Sequence, residues 1–433
     1  MGAPPPRSTA TPLRSGRRAL LAGGLGLLAG CRGDDLARGR TELALWFTYG
    51  GKNREVLESL VGRFNASQGR DYVRAVFQGD YFEGLAKLRI ALAAGQAPAL
   101  SHVVGEVVPY LAEAGVLEPL GGYPGATELD VVPELGQAGS WIGGAERPLV
   151  ALPFNRSTPI AYLNGEVFGR AGLAAPASWS ELRSTASALT RREGGRVVRY
   201  GFGCPVNWWF WVALVGQAGG NVVEADGRVS LGDEAGVRAL ELWQTLVSVD
   251  RSMKPPPGRD YNAWEQTNQD FLAGRAAMIW TSTAFLKYLE ENARFPVIAA
   301  PLPGNVRHAV PTGGTHWIIP NSAPQPQKDA AFRFLRFMHA PRAAIDWATR
   351  TGYIPVTRSA IEQLTAAGHY ARHPNERVTI DQLEVAMPWP WSTELFRLQR
   401  EFVQPRLERA VLGGGNARAL LEEARRLARE SRG

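Results

Sequence analysis

The chain runs to 433 residues but holds only two cysteines, six histidines and five methionines. Two cysteines cannot build the disulfide framework of a small secreted scaffold. Catalytic signatures are missing too: there is no Gly-x-Ser-x-Gly, no His-Glu-x-x-His and no Walker loop, since Gly51-Lys52 is followed by Asn53 and lacks the spaced glycine. His369 and His373 stand at the i, i+4 spacing of metal ligands, yet Tyr370 follows the first, Pro374 ends the helix and no third ligand accompanies them, so no metal is expected. These gaps argue against an enzyme and give no place to a cofactor. A field of one sign is lacking as well. Residues 1–30 carry Arg7, Arg14, Arg17, Arg18 and no acid, so four charges of the formal +7 sit in that stretch. What remains is about +3 over roughly 400 residues, which is no nucleic-acid footprint.

What is present begins at the N-terminus. Arg17-Arg18 precedes an apolar run from Leu20 that ends in Leu28-Ala29-Gly30-Cys31. Paired arginines, an apolar stretch and small residues before a single Cys look like a twin-arginine export signal closed by a bacterial lipobox. Cys31 would take the lipid and residues 31–40 would form a polar tether. No later stretch approaches the roughly 18 apolar residues of a membrane span. The expectation is therefore an exported protein held in the cell envelope by its lipid, in the periplasm or on the outer face of the cytoplasmic membrane. With Cys31 lipidated, only Cys204 is left as a thiol.

The body of the chain alternates strand and helix. Leu43 to Phe47 is a short apolar strand, and Val56, Leu57, Leu60, Val61 and Phe64 fall on one helical face. Val73, Ala75 and Phe77 alternate, Leu85, Leu88 and Leu92 mark another helix, and Leu100 to Val104 a third strand. Such a pattern predicts a parallel sheet with helices on its faces and ligand at the carboxyl ends of its strands. Further on, Thr158 to Asn164 reads as a strand, Ser178-Trp179-Ser180-Glu181 as a capping box and Asp233 as a helix cap. The strands Ala277 to Ser282 and Thr315 to Pro320 read as further crossings between lobes, and from Lys328 onward the chain is nearly all helical. Length alone calls for two domains. The division expected is 41–153 plus 283–314 for the first lobe and 154–282 plus 315–433 for the second.

Several segments, in order, resemble the family 1 extracellular solute-binding proteins of bacterial ABC importers, and within them the glycerol-3-phosphate-binding subgroup. They include Phe64-Asn65-Ala66-Ser67, Gln78-Gly79-Asp80-Tyr81, Gly95-Gln96-Ala97-Pro98-Ala99, Pro153-Phe154-Asn155-Arg156-Ser157, Gly313-Gly314, Thr351-Gly352-Tyr353-Ile354-Pro355 and the helix around Arg400. The resemblance implies an α/β, two-lobed periplasmic-binding-protein fold of type II, each lobe a mostly parallel sheet flanked by helices, with ligand in the cleft between lobes. It implies binding roles for Tyr81, Ser157, Gly313, Gly314, Tyr353 and Arg400, the last meeting phosphate, and a hydroxyl at Ser282 or its neighbours Thr281 and Thr283. Two departures bear on the ligand rather than the fold. The family's acid is displaced by one position, at Glu106, and the flanking aromatic pair has become Asn207-Trp208-Trp209-Phe210-Trp211, in which Trp208, Trp209 and Trp211 are all candidates to face the cleft.

A phosphomonoester carries about two negative charges and several acceptor oxygens. It calls for a forked, permanent cation with neutral donors around it, and for aromatic faces against the glycerol carbons. Arg400, Ser157, Ser282, the Gly314 amide, Tyr81 and Tyr353 make such a set. The expected activity is capture of glycerol-3-phosphate or a glycerophosphodiester by a monomeric receptor and its delivery to ABC permease subunits. Two alternatives stay open: a neutral mono- or oligosaccharide, which the tryptophans suit, and an envelope hydrolase.

Overall fold

The structure is a computed structural model and describes residues 37–126, 128–136, 148–255, 260–387 and 389–431. The leader, Cys31 and most of the tether lie outside the described residues. From Arg40 onward the chain forms one compact unit. Its strands in chain order are β1 (Thr41–Phe47), β2 (Asp71–Phe77), β3 (Leu100–Val104), β4 (Ala151–Ser157), β5 (Pro159–Asn164), β6 (Arg191–Glu193) and β7 (Arg196–Gly203). They continue with β8 (Met253–Lys254), β9 (Ala276–Ser282), β10 (Val297–Ala300), β11 (Val310–Pro311), β12 (Gly313–Ile318) and β13 (Ala386–Met387).

The first lobe is built on the sheet β2-β1-β3-β12-β4. Alternation along β1 buries Leu43, Leu45 and Phe47 on one face. The helix Gly51–Ser67 lays Val56, Leu57, Leu60, Val61 and Phe64 into the same core, which the helices Gln325–His339 and Pro341–Thr351 complete with Phe332, Phe334, Leu335 and Trp347. Burial of these apolar stripes, worth roughly 25 cal/mol per Å², holds the layers together. The second lobe is built on β10-β5-β9-β7-β6, with β8 beside β7. Its core includes the fully buried rings of Trp208, Phe210, Trp211, Trp243 and Trp280.

Three expectations need correction. Both sheets are mixed rather than mostly parallel: β1 runs parallel to β2 and β3, but β12 is antiparallel to β3 and β4, and β5 is antiparallel to β9 and β10. The odd strands arrive from the other lobe, so no βαβ crossover fixes their direction. For the same reason the expected division shifts. β4 keeps 154–157 in the first lobe, β10 keeps the 283–300 stretch in the second, and β12 with the helices that follow returns to the first. The chain therefore crosses at Thr158, at Thr312 and between the helices Arg358–Ala366, which packs on Pro341–Thr351, and Pro374–Asp381, which packs on β10; β9 is not a crossing, because β5 and β7 flank it. Finally, Asp233 does not cap its helix. Gly232 occupies the cap, and the Asp233 carboxylate meets Arg425 at 2.6 Å and Arg228 at 3.3 Å instead. Ser178 does cap: its hydroxyl accepts from the Glu181 amide at 3.2 Å, while Glu181 reaches back to the Ala177 amide at 2.7 Å.

Candidate functional site

A cavity of about 790 Å³ opens between the lobes. Each side reaches it by a different local device. On the first lobe, Gly79 at φ 95° turns the chain after β2, and the Asp80 carboxylate accepts from the amides of Phe82 and Glu83, both at 2.8 Å. This cap starts the helix at Tyr81 and aims its ring at the cavity. Ser157 ends β4, and Gly313 and Gly314 open β12 beside it. Gly314 has φ 101°, and a Cβ there would lie 1.8 Å from the Asn155 carbonyl oxygen. Only glycine fits. Tyr353, just before Ile354 whose amide donates to the Arg156 carbonyl of β4 at 2.9 Å, stacks on Trp347 with centroids 5.7 Å apart and planes 10° apart.

The second lobe contributes the rings of Trp209, Trp264 and Phe285 and, among its polar groups, Asn207, Ser282, Lys287 and Tyr288. Asn207 caps the helix Trp208–Gln217 by accepting from the Trp209 amide at 3.0 Å. Trp209 then projects toward the first lobe, where its indole donates to the Thr312 carbonyl at 3.2 Å. A Cβ on Gly313 would come within 2.6 Å of that indole, so this glycine lets the two lobes meet. Trp264 lies 5.5 Å from Trp209 and 6.2 Å from Phe285, centroid to centroid, extending an aromatic wall. The Ser282 hydroxyl accepts from the Ala284 amide at 3.1 Å and borders the cavity.

Tyr81, Glu106, Ser157, Trp208, Trp209, Ser282, Gly313, Gly314 and Tyr353 thus line one space. Of the three tryptophan candidates, Trp209 is the ring on the lobe boundary. Trp208 touches the cavity but is wholly buried, and its backbone amide donates to Gln404 at 2.8 Å. Trp211 does not reach the cleft. One helical turn places it in the second core, where its indole donates to the Gly236 carbonyl at 3.3 Å. Among the hydroxyls, Thr283 accepts from the Thr158 amide at 3.3 Å and Thr281 is fully buried, which leaves Ser282 as the one at the surface of the cavity. Arg400 is not part of the cavity wall. Its guanidinium carbon sits 3.7 Å from the centroid of Phe82, which is, so the two lobes touch there through a cation and a ring.

Glu106 follows β3 on a 3-10 turn and borders both the main cavity and a smaller space shared with Arg156. Burial pushes its carboxyl above the usual range, opposed by a backbone hydrogen bond and by the Arg156 charge. Arg156 is itself buried, donates to the Thr312 hydroxyl at 2.8 Å and is pushed down to about 10 by desolvation, against the pull of Glu106. The sequence reading missed Arg156, along with Tyr49, Phe82, Trp264, Phe285, Lys52 and Lys287 of the cavity wall. Trp264 had left a trace, as a lone indole in the polar stretch Asn262-Ala263-Trp264-Glu265-Gln266. At the mouth, Lys52 of the first lobe pairs with Glu291 of the second.

His369 Nε2 donates to the Glu376 carboxylate at 2.7 Å, and its ring lies 4.4 Å from that of His373. Among the described residues no group of three or more His, Cys, Asp or Glu could hold a metal, and no helix is long and apolar enough to cross a membrane.

A family model described as "Bacterial extracellular solute-binding protein" matches residues 59–375. The chain is 25% identical over 377 residues to the sn-glycerol-3-phosphate-binding periplasmic protein of Yersinia pseudotuberculosis, covering 82% of this chain and 83% of the relative. It is 24% identical over 392 residues to the protein of the same name from Salmonella typhimurium, covering 86% of each. Among solved structures, UgpB from Mycobacterium tuberculosis in complex with glycerophosphocholine superposes with a TM-score of 0.78 at 24% identity, over 90% of this chain and 98% of that one. The GacH receptor of Streptomyces glaucescens, solved with acarbose, gives 0.80 at 20% identity with the same coverage. At these identities the two structures speak for the fold.

Proposed function

The chain belongs to the bacterial extracellular solute-binding proteins, and from that membership we propose that it captures a phosphorylated glycerol, sn-glycerol 3-phosphate or a glycerophosphodiester, in the cleft between its lobes. The observation that carries this reading is the convergence of Tyr81, Ser157, Gly314 and Tyr353 from one lobe with Ser282 from the other on a single cavity. These are neutral hydrogen-bond donors suited to phosphate oxygens. The relatives named for sn-glycerol 3-phosphate support the ligand class. In this reading Arg400 leaves Phe82 and forks onto the phosphate when ligand enters, and Trp209 with Trp264 covers the carbon skeleton. Ligand that touches both lobes favours the closed form through its differential affinity, and the closed form docks on an ABC permease without any reaction. Cys31 carries the lipid that tethers this monomer to the membrane.

A second reading is favoured by one observation. The wall of Trp209, Trp264 and Phe285 offers flat apolar faces of the kind on which sugar rings stack. Thermal unfolding separates the two. A ligand at a hundred times its dissociation constant stabilises the fold by about 2.7 kcal/mol. The phosphate reading expects stabilisation by sn-glycerol 3-phosphate that is lost in Arg400→Ala. Stabilisation by maltose alone, indifferent to that substitution, overturns it in favour of a neutral sugar.

A further inference from the structure

The positive charge of the folded chain is not evenly spread. Residues 165–200 hold six arginines against three glutamates. Most of them meet on the hairpin of β6 and β7, where β6 is the outermost strand of its sheet and Gly194-Gly195 makes the turn. Arg191 stands directly opposite Arg199, a like-charged cross-strand pair that costs stability. Arg170 is close enough to add its charge: burial first, then Arg191 and Arg170, push the Arg199 guanidinium below its ordinary value. The cluster continues to Asp250, whose carboxylate accepts from Arg183 at 2.9 and 3.0 Å. Arg192 donates to the carbonyls of Asp250 and Arg251 at 3.1 and 3.3 Å. The acids of this group are already taken, Glu166 by Arg170, Glu193 by Arg191 and Asp250 by Arg183. Arg192, Arg196, Arg199 and Arg251 meet no carboxylate among the described residues. Val198, beside Arg199, and Val249, beside Asp250, are 42% and 73% exposed. None of these residues lines the cleft. β7 runs eight residues from Arg196 to Gly203, and Asn207 at the cavity wall follows shortly after. At about 3.3 Å per residue, the hairpin turn therefore stands roughly 25 Å from the cleft end of that strand.

We propose that this arginine hairpin is a docking surface for an anionic phospholipid membrane. Guanidiniums without a carboxylate fit the phosphates of lipid headgroups, and the two valines fit the apolar margin beneath them. The choice of partner rests on the reading that Cys31 carries a lipid. Fully extended, residues 31–40 span at most about 35 Å, so that lipid would keep the patch beside a bilayer at high effective concentration, and a weak surface affinity suffices. Contact through the far end of β7 leaves the cleft clear of lipid and open to solutes.

The test uses residues 40–433, the compact unit, without leader or lipid. Vesicles of phosphatidylglycerol mixed with phosphatidylcholine should carry it down on sedimentation at low salt, and vesicles of phosphatidylcholine alone should not. Salt at about 0.5 M should release it. Arg191→Ala combined with Arg196→Ala should weaken vesicle binding roughly twenty-five-fold, about fivefold for each arginine. Calorimetric affinity for sn-glycerol 3-phosphate should stay as in wild type, which also reports an intact fold. Arg54→Ala combined with Arg74→Ala takes the same charge from the first lobe and should leave vesicle binding within about twofold. Equal weakening by the two pairs means that net charge rather than the hairpin binds, and overturns the proposal. So does equal sedimentation with both kinds of vesicle, or none with either. Capture by polyglutamate beads without sedimentation on phosphatidylglycerol also overturns it and assigns the hairpin to an acidic polymer. These outcomes leave the receptor reading standing, because that reading fails only if wild type takes up no glycerol phosphate.

Discussion

The two faces of the cleft are built on different physical principles. The first lobe presents strand ends and a helix start whose hydroxyls and amides are held by buried hydrogen bonds, from His102 and Asn155 to Tyr81 and Tyr353. The second presents, beside Ser282, Lys287 and Tyr288, a wall of rings, Trp209, Trp264 and Phe285, held by packing on one another and on the apolar cores behind them. Directional bonds specify which atoms a ligand must offer, whereas a packed aromatic wall specifies only a flat apolar face. In the proposed reading, discrimination between a phosphate and a sugar hydroxyl rests on the fixed donors of the first lobe together with Arg400 of the second, and general affinity for a polyol on the rings.

The sharpest way to break this contrast is inside the tryptophan cluster. Trp211→Ala should cost about 3–5 kcal/mol of stability through the cavity it leaves, read by chemical denaturation, yet leave ligand affinity of the folded protein nearly unchanged. Trp209→Ala should do the reverse, lowering affinity for every ligand alike with a smaller loss of stability. Equal effects of the two would mean that the wall and the core are not distinct. On the polar face, Gly314→Ala forces a Cβ against the Asn155 carbonyl at a positive φ. It should cost about 1–3 kcal/mol and weaken binding by more than the loss of stability accounts for, because Asn155 carries the tyrosine contacts. Unchanged titration curves would remove that strand from the site.

A smaller effect sits at Glu106. Burial raises its folded carboxyl above the usual range, so its contribution to stability is greatest at acid pH, below about 4.5, and is lost as pH rises through the raised value. Glu106→Gln should flatten that decline, making the variant relatively more stable at neutral pH in melting experiments run across pH. A decline of the same slope in both proteins would place the titration elsewhere. Smallest of all is the pair Lys52–Glu291, whose side chains are about half exposed. Glu291→Gln should change stability by less than about 1 kcal/mol, an effect that added salt should erase.

Much of this contrast was legible in the sequence on one side only. Tyr81, Ser157, Gly314 and Tyr353 stand in short local motifs whose geometry is set within a few residues, by a cap, a strand end or a glycine turn. The aromatic wall is assembled across distance. Nothing near Trp264 or Phe285 says that they will meet Trp209, and nothing within the helix Trp208–Gln217 says which indole will face the lobe boundary, since all ten of its residues are buried. The lobes themselves were misdivided for a related reason. Apolar runs identify β9 and β12 as strands, but which sheet each joins depends on antiparallel pairing with β3, β4 and β5, far away in the chain. Arg156 escaped notice because a charged residue inside an apolar strand reads as solvent-facing until Glu106 and Thr312 are found around it.

Equilibrium dialysis of residues 41–433 against labelled sn-glycerol 3-phosphate, with glycerophosphocholine and maltose as competitors, tests the central claim most directly. The account predicts one saturable site per chain that the phosphodiester competes for and maltose does not, and that Tyr81→Phe with Tyr353→Phe weakens. Saturable binding displaced by maltose and indifferent to the two tyrosines would contradict it, and would hand selection to the aromatic wall.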